Sequence, residues 1–314
     1  MIDVIIPAHE KDLNTLELCI EGARRNVEGV SNIYVISKNK LSDSAIWYPE
    51  EKIPFSIEDV AQKIGEHWRT SWYYADLLEG CSSIYVDGPS KYTLILDADT
   101  VFLRPVSLIE KGQALLNTSP SDGTSAYYEY IAKLIPGLTP KSVASGITHW
   151  ILQEKSIVKK MVDHVEDIHK KPFWEAALDI TCQDYDCLKN NDHETCPGKM
   201  ANFELYFTYV LHYHFDKVKL ENKNSILAYK ESLGYPGYER YAEAGSRTNG
   251  SLATAHILTD GERAELKDET FESLSKAIEH ICIICSRKLW DVITFQLHFW
   301  LESQSYKNMM KTKN

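Results

Sequence analysis

Nowhere does the chain hold the ~18 consecutive apolar residues that a membrane-spanning helix requires. Met1 leads straight into an apolar, β-branched stretch without a basic segment ahead of a longer apolar core, so no signal peptide is expected. Both absences point to a cytoplasmic protein with no transmembrane segment. Basic clusters interleaved with aromatics are missing too, and the formal net charge is −11. Such a chain repels a phosphate backbone in bulk, so nucleic acid is not an expected partner. Repeats, low-complexity tracts and linkers do not appear. Cysteine is present, seven in all, but not in the paired knuckles of common zinc modules. Cys182, Cys187 and Cys196 fall near His193 and leave a zinc site as an alternative to free thiols in a reducing compartment. Cys282 and Cys285, on an apolar helical pattern, read as packing.

What the 314 residues do hold is an ordinary globular composition, 44% hydrophobic and 25% charged, enough for one large α/β domain or a domain with an appendage. Aromatic faces stack on sugars and bases, yet most of the 7 Trp and 18 Tyr are expected in the core. The organising stretch is Tyr92–Pro105, YTLILDADTVFLRP. Thr93–Leu96 is a short run with β-branched residues, suited to a central strand covered on both faces. It runs directly into Asp97-Ala98-Asp99, and open α/β sheets bind ligands beyond the carboxyl ends of their strands. Two carboxylates this close repel unless a proton or cation intervenes, and a hard divalent ion on a diphosphate satisfies both. The plain alternative is a strand end with two solvated acids.

Ile2–Pro7 reads as the first strand, followed by a loop over Ala8-His9-Glu10-Lys11-Asp12 and a helix with Leu13, Leu16, Cys19, Ile20 and Ala23 on one face. Asp12 suits a base or ribose contact, or equally a helix cap. Ile33–Ser37 completes a βαβ unit, with Ser37 and Lys38 at its end; Lys38 either meets a base edge or phosphate or lies exposed. Leu41–Glu58 reads as an irregular excursion. Ile57–Leu78 reads as mostly helical, with Trp68, Trp72, Ala75 and Leu78 at core spacing. The fork of Arg69 suits phosphate oxygens, a surface ion pair being the alternative. Leu108–Leu116 reads as a short helix or loop, and Ala126–Ile131 as a strand with alternating tyrosines.

In Val143–Leu152, Ser145-Gly146 permits close backbone approach, and His149-Trp150 sets an imidazole beside a large ring. A strand with a satisfied histidine is the bland reading of that segment. Lys155–His169 and Asn202–His214 read as helices, Phe173–Leu178 as the start of another, and Asp179–Lys199 as a polar loop. Glu204, amid Phe203, Tyr206 and Phe207, is a carboxylate that desolvation should raise in pKa, suited to a general base; otherwise it is a helix-end acid favoured by the dipole. Val218–Ala228 reads as one or two strands and Gly234–Gly250 as a mobile loop able to close over a ligand. Phe271–Gln304 reads as a long amphipathic helical region that closes the domain, dimerises or touches a membrane surface. The expected division is one domain over 1–260 and a C-terminal helical segment over 261–314.

The two apolar strands, about 90 residues apart and in this order, resemble those of GT-A glycosyltransferases. Asp-x-Asp after an apolar strand, continuing Thr-Val-Phe-Leu-Arg-Pro, is similar to their metal-binding motif, and Ile2-Asp3-Val4-Ile5-Ile6-Pro7-Ala8-His9 resembles their first nucleotide-binding strand. The nearest resemblance is to a GT-A-like domain of bacteria and viruses with no assigned function, over about Met1 to Phe215. It implies an α/β, Rossmann-like, mixed but mostly parallel sheet flanked by helices, with a C-terminal helical segment. It also implies a transferase that moves a sugar from a UDP- or GDP-sugar to a glycan or other hydroxyl acceptor, with Mn²⁺ or Mg²⁺. Donor contacts would then fall to Pro7, Ala8, His9, Asp12, Ser37, Lys38, Arg69, Asp97 and Ala98. Asp99, Asp97 and His256 would ligate the metal, and Glu204 and His149 would serve the acceptor side, with inversion or retention open. Golgi members carry an N-terminal anchor, so the expected setting is bacterial or viral. Asp97-Ala98-Asp99-Thr100-Val101 also fits the nucleophile motif of HAD-type phosphatases, in which Asp97 would be phosphorylated. That motif usually opens its domain, whereas here about 90 residues precede it. A non-catalytic nucleotide or sugar binder is the third reading.

Overall fold

The first apolar run becomes strand β1 (Ile2–Pro7), followed by α1 (Leu13–Asn26), β2 (Val30–Ser37), β3 (Ile46–Pro49), α2 (Ile57–Ile64) and α3 (Thr70–Tyr85). The second becomes β4 (Tyr92–Leu96), followed by β5 (Thr100–Phe102), β6 (Ile109–Glu110), β7 (Gln113–Asn117), β8 (Ser119–Pro120) and α4 (Ser125–Leu134). Then come β9 (Ala144–Ser145), β10 (Trp150–Glu154), α5 (Lys155–His169), α6 (Phe173–Gln183), α7 (Asn202–Tyr213), β11 (Val218–Glu221), β12 (Ser225–Tyr229) and β13 (Val292–Gln296). This computed structural model describes residues 1–65, 69–120, 125–183, 200–221, 223, 225–229, 282–283 and 291–296. Expectations for Trp68, Cys187, His193, Cys196, 234–250, His256 and Cys285 lie outside the described residues.

The fold is mixed α/β, a mixed sheet of mostly parallel strands flanked by helices. Chain contacts divide it into two units: Met1–Pro7, Gly29–Leu96 and Ser107–Asn222 form the first, and Ala8–Glu28, Asp97–Val106 and Lys223–Asn314 the second. In the first unit the sheet order is β10-β4-β1-β2-β3. β1 pairs in parallel with β2 and β4, β2 in parallel with β3, and β10 runs antiparallel to β4. Ile2, Val4, Ile5, Ile6 and Leu94–Leu96 are all at most 1% exposed, as a strand pair covered on both faces requires. Inside β1, Asp3 is fully buried; its carboxylate accepts from Asn32 Nδ2 and the Ser90 N–H, each at 3.0 Å, with Lys155 Nζ 3.8 Å away. Lys155 donates to Gly88 O and Val86 O, and burial lowers its pKa while Asp3 and Asp87 oppose that shift.

Several local expectations are corrected here. Ile46–Pro49 is a strand within the supposed excursion, paired with β2 through Val35 and Trp47. Leu108–Leu116 is neither helix nor loop but contains the β6–β7 hairpin. Lys111 and Gly112 have φ of 51° and 83°, the left-handed pair that a two-residue hairpin turn needs. Ala126–Ile131 lies in helix α4, because Ala126, Tyr130, Ile131 and Leu134 are buried at helical rather than alternating spacing. Trp72 is 41% exposed, since the buried stripe of α3 is Tyr73, Tyr74, Leu77, Leu78 and Cys81. α6 continues to Gln183, so Asp179 and Cys182 stand on a helix rather than in the polar loop.

In the second unit β13 joins β12 in parallel and β5 in antiparallel fashion. This strand falls in the region read as helical; its β-branched Val292-Ile293-Thr294 favours extended backbone once a partner strand is available. The buried hydroxyls of Thr100 and Thr294 meet at 2.7 Å across the pair. α1 lies so close to β5 that a Cβ on Gly22 would stand 2.9 Å from Phe102 O, and Asn26 Nδ2 donates to that same carbonyl at 2.7 Å. Among the described residues no helix is long and apolar enough to cross a membrane.

Candidate functional site

Strand β4 ends at Leu96, and the chain turns at once. The Asp97 carbonyl accepts from the Thr100 N–H at 3.0 Å, closing a four-residue turn that places Ala98 and Asp99 at its corners. Asp97 and Asp99 are both half-buried, whereas Ala98 is buried. The turn is also tied to α1, because the Cys19 thiol donates to the Asp97 carbonyl at 3.5 Å. Cys19 is fully buried, and burial is the main cause that pushes its pKa well above the ordinary thiol range. Asp99, Asp97 and Asp12 each push it further, in that order. The β4–β5 turn and the segment leading into α1 therefore gather three carboxylates within electrostatic reach of one buried thiol.

Asp12 has a structural task as well. It is 7% exposed, and its Oδ2 accepts from the His9 N–H at 2.8 Å in a capping box, while the exposed His9 uses Nδ1 to accept from the Lys11 N–H. That box closes the short 3-10 turn Glu10–Asp12 and not α1, at whose N-cap position Asp12 makes no side-chain cap hydrogen bond. Pro7 and Ala8 are half-buried where β1 gives way to this loop. Among the described residues no group of three His, Cys, Asp or Glu is arranged to hold a metal ion. Asp97 and Asp99 carry carboxylate oxygens of the kind that ligate hard cations.

The remaining candidates lie in the first unit. Ser37 is buried and donates its hydroxyl to Asn39 O at 2.7 Å, while Lys38 is exposed beside it. Arg69, at the start of α3, lies over the Trp72 ring at 5.7 Å. Glu204 stands in the first turn of α7 and is only 1% exposed. Its Oε2 accepts from Ser145 Oγ at 2.6 Å and from the Gly146 N–H at 2.7 Å, and its Oε1 from Thr208 Oγ1 at 3.2 Å. A Cβ on Gly146 would come within 2.3 Å of Phe207 Cβ, so only glycine lets this segment lie against α7. Ile147 is held too, its N–H by Ser145 Oγ and its carbonyl by Ser119 Oγ. His149 follows, half-buried, one residue before β10 begins its pairing with Trp150 opposite Leu96.

Sequence reasoning placed Cys19 only on an inward helix face, because nothing in its neighbourhood along the chain signals the two acids brought in by the β4–β5 turn. It singled out Ser145-Gly146 and Glu204 separately. Their contact spans 59 and 58 residues and has no local signature. No protein-family model matches the chain, and no curated protein matches it in sequence.

Proposed function

We propose that the protein is a metal-dependent glycosyltransferase that takes a sugar from a nucleoside-diphosphate donor to a hydroxyl acceptor. The observation that carries this reading is the turn that sets Asp97 and Asp99 directly after β4, the parallel neighbour of β1. Ligands of open α/β sheets bind beyond such strand ends, and the strand motifs resemble those of GT-A enzymes. Asp97 and Asp99 would hold Mn²⁺ or Mg²⁺ through hard oxygen ligands. A divalent ion bound there would supply positive charge to the departing diphosphate. The Thr100 N–H bond to the Asp97 carbonyl holds the backbone of the turn that bears the two carboxylates. Arg69 is the proposed phosphate contact, its guanidinium orientation steadied by Trp72. His149, partly open to solvent, is the proposed group at the acceptor hydroxyl.

A panel of UDP- and GDP-sugars incubated with protein and Mn²⁺ tests the reading through release of nucleoside diphosphate. Metal-dependent release, with p-nitrophenyl phosphate left intact, is the expected result. Cleavage of p-nitrophenyl phosphate instead identifies a phosphatase, and inertness toward both identifies a binding protein.

A further inference from the structure

We propose that Glu204 is a positioning residue, fixing the Ser145–Thr148 turn and through it the place of His149; the catalytic part of this rests on the transferase reading. A general base must reach the proton it abstracts, either directly or through one water. Glu204 is 1% exposed, and the oxygen nearest the turn already accepts two short hydrogen bonds. Those bonds are charge-assisted and among the stronger kind in a protein interior.

The geometry runs outward from the carboxylate in a connected series. Ser145 Oγ donates to Glu204 and accepts from the Ile147 N–H. Ser119 Oγ pins the Ile147 carbonyl at 2.7 Å, and Thr148 Oγ1 donates to Trp150 O at 2.6 Å. Trp150 itself is 2% exposed and fixed in the sheet. His149 is therefore held between a turn anchored on α7 and a buried strand, with Glu204 at the root of the anchor. A carboxylate suits this role because one of its oxygens can accept from a hydroxyl and an amide together. Glutamine keeps one such oxygen and can turn its amide nitrogen toward Thr208, whereas alanine leaves the Gly146 N–H and the Ser145 hydroxyl without their partner.

The test combines two readouts. The first is the imidazole NMR signal of His149, assigned with His149→Gln, followed through a pH titration. The second is metal-dependent hydrolysis of the UDP- and GDP-sugar panel, with Mn²⁺-dependent UDP and GDP affinity measured alongside. Glu204→Gln is expected to keep the His149 signal in place and turnover within about fivefold. Glu204→Ala, and the milder Ser145→Ala should the first fail to fold, are expected to shift that signal and lower kcat more than tenfold with nucleotide affinity unchanged. A loss of a hundredfold or more in Glu204→Gln with the His149 signal unmoved would make Glu204 the base itself. An unmoved signal in Glu204→Ala and Ser145→Ala overturns the positioning role. If the wild-type protein binds and hydrolyses no donor, the transferase reading fails, and the NMR signal still decides whether Glu204 sets the place of His149.

Discussion

Asp76, on α3, caps helix α7 through Asn202. Its carboxylate accepts from the Asn202 backbone N–H at 3.2 Å and from the Asn202 side-chain amide at 2.9 Å, and Tyr130 donates its hydroxyl to the same amide's oxygen at 3.2 Å. The residue before the helix, Ala201, has no side chain able to cap, so an acid 126 residues away does the work an N-cap serine or aspartate usually does locally. Negative charge is favoured at a helix amino end, and this end carries Glu204 in its first turn.

Asp76→Ala is expected to lose about 2–3 kcal/mol of stability, since buried donors are left unsatisfied. Urea unfolding followed by circular dichroism measures the loss. A change below about 0.5 kcal/mol would show that the Asp76–Asn202 contact does not hold α7.

Lys63, on α2, ties that helix to α6 by reaching Glu175 Oε1 at 2.9 Å and Asp179 Oδ1 at 2.7 Å, with Lys171 on Asp179 Oδ2 at 2.6 Å. Burial alone would raise the Asp179 carboxyl, but the bonds from Lys171 and Lys63 outweigh it and the pKa is lowered; Glu175 is lowered chiefly by its bond from Lys63. A carboxyl depressed on folding contributes stability above its unfolded pKa and loses it as pH falls through the folded value. Between about pH 5 and pH 2.5, Lys63→Met should therefore show a smaller drop in Tm than the wild-type protein. Equal drops in the two proteins would remove this cluster as a source of acid lability.

Gly22→Ala tests how the acid-bearing turn is held. The added methyl would meet the backbone of Phe102, which cannot rotate away as a side chain would. The substitution should cost about 1–3 kcal/mol by overpacking, and the shift of β5 should weaken Mn²⁺-dependent nucleotide binding. Calorimetry on a folded Gly22→Ala protein with unchanged affinity would separate the turn's position from α1.

The central strands were legible because burial on both faces leaves a continuous apolar run, as in Val4-Ile5-Ile6 and Leu94-Ile95-Leu96, and the acids after the second run stand out against it. α4 was misread because Tyr127, Tyr128 and Tyr130 suggest alternation, while the helical stripe of Ala126, Tyr130, Ile131 and Leu134 becomes visible only when burial is known. β13 was misread because a short apolar run fits either period, and its partner β5 lies nearly 200 residues earlier. Asp3 shows the same limit at a single position. An acid inside an apolar strand looks like an error of pattern until Asn32, Ser90 and Lys155 supply its partners. Glu204 was recognisable as a special carboxylate from its aromatic setting, but the choice between base and anchor depends on Ser145 and Gly146, which only the folded chain brings to it.

The most direct measurement is a calorimetric titration of UDP and GDP into wild-type and Asp99→Ala protein, each with and without Mn²⁺. In the wild-type protein Mn²⁺ should strengthen binding of at least one of the two nucleotides. Asp99→Ala should weaken the Mn²⁺-dependent affinity by at least about 10–100-fold, the loss seen when even an outer-shell partner is removed from a metal site, while Tm stays close to wild type. Metal-dependent affinity undiminished in a folded Asp99→Ala protein, or no binding of either nucleotide by the wild-type protein, would contradict the account.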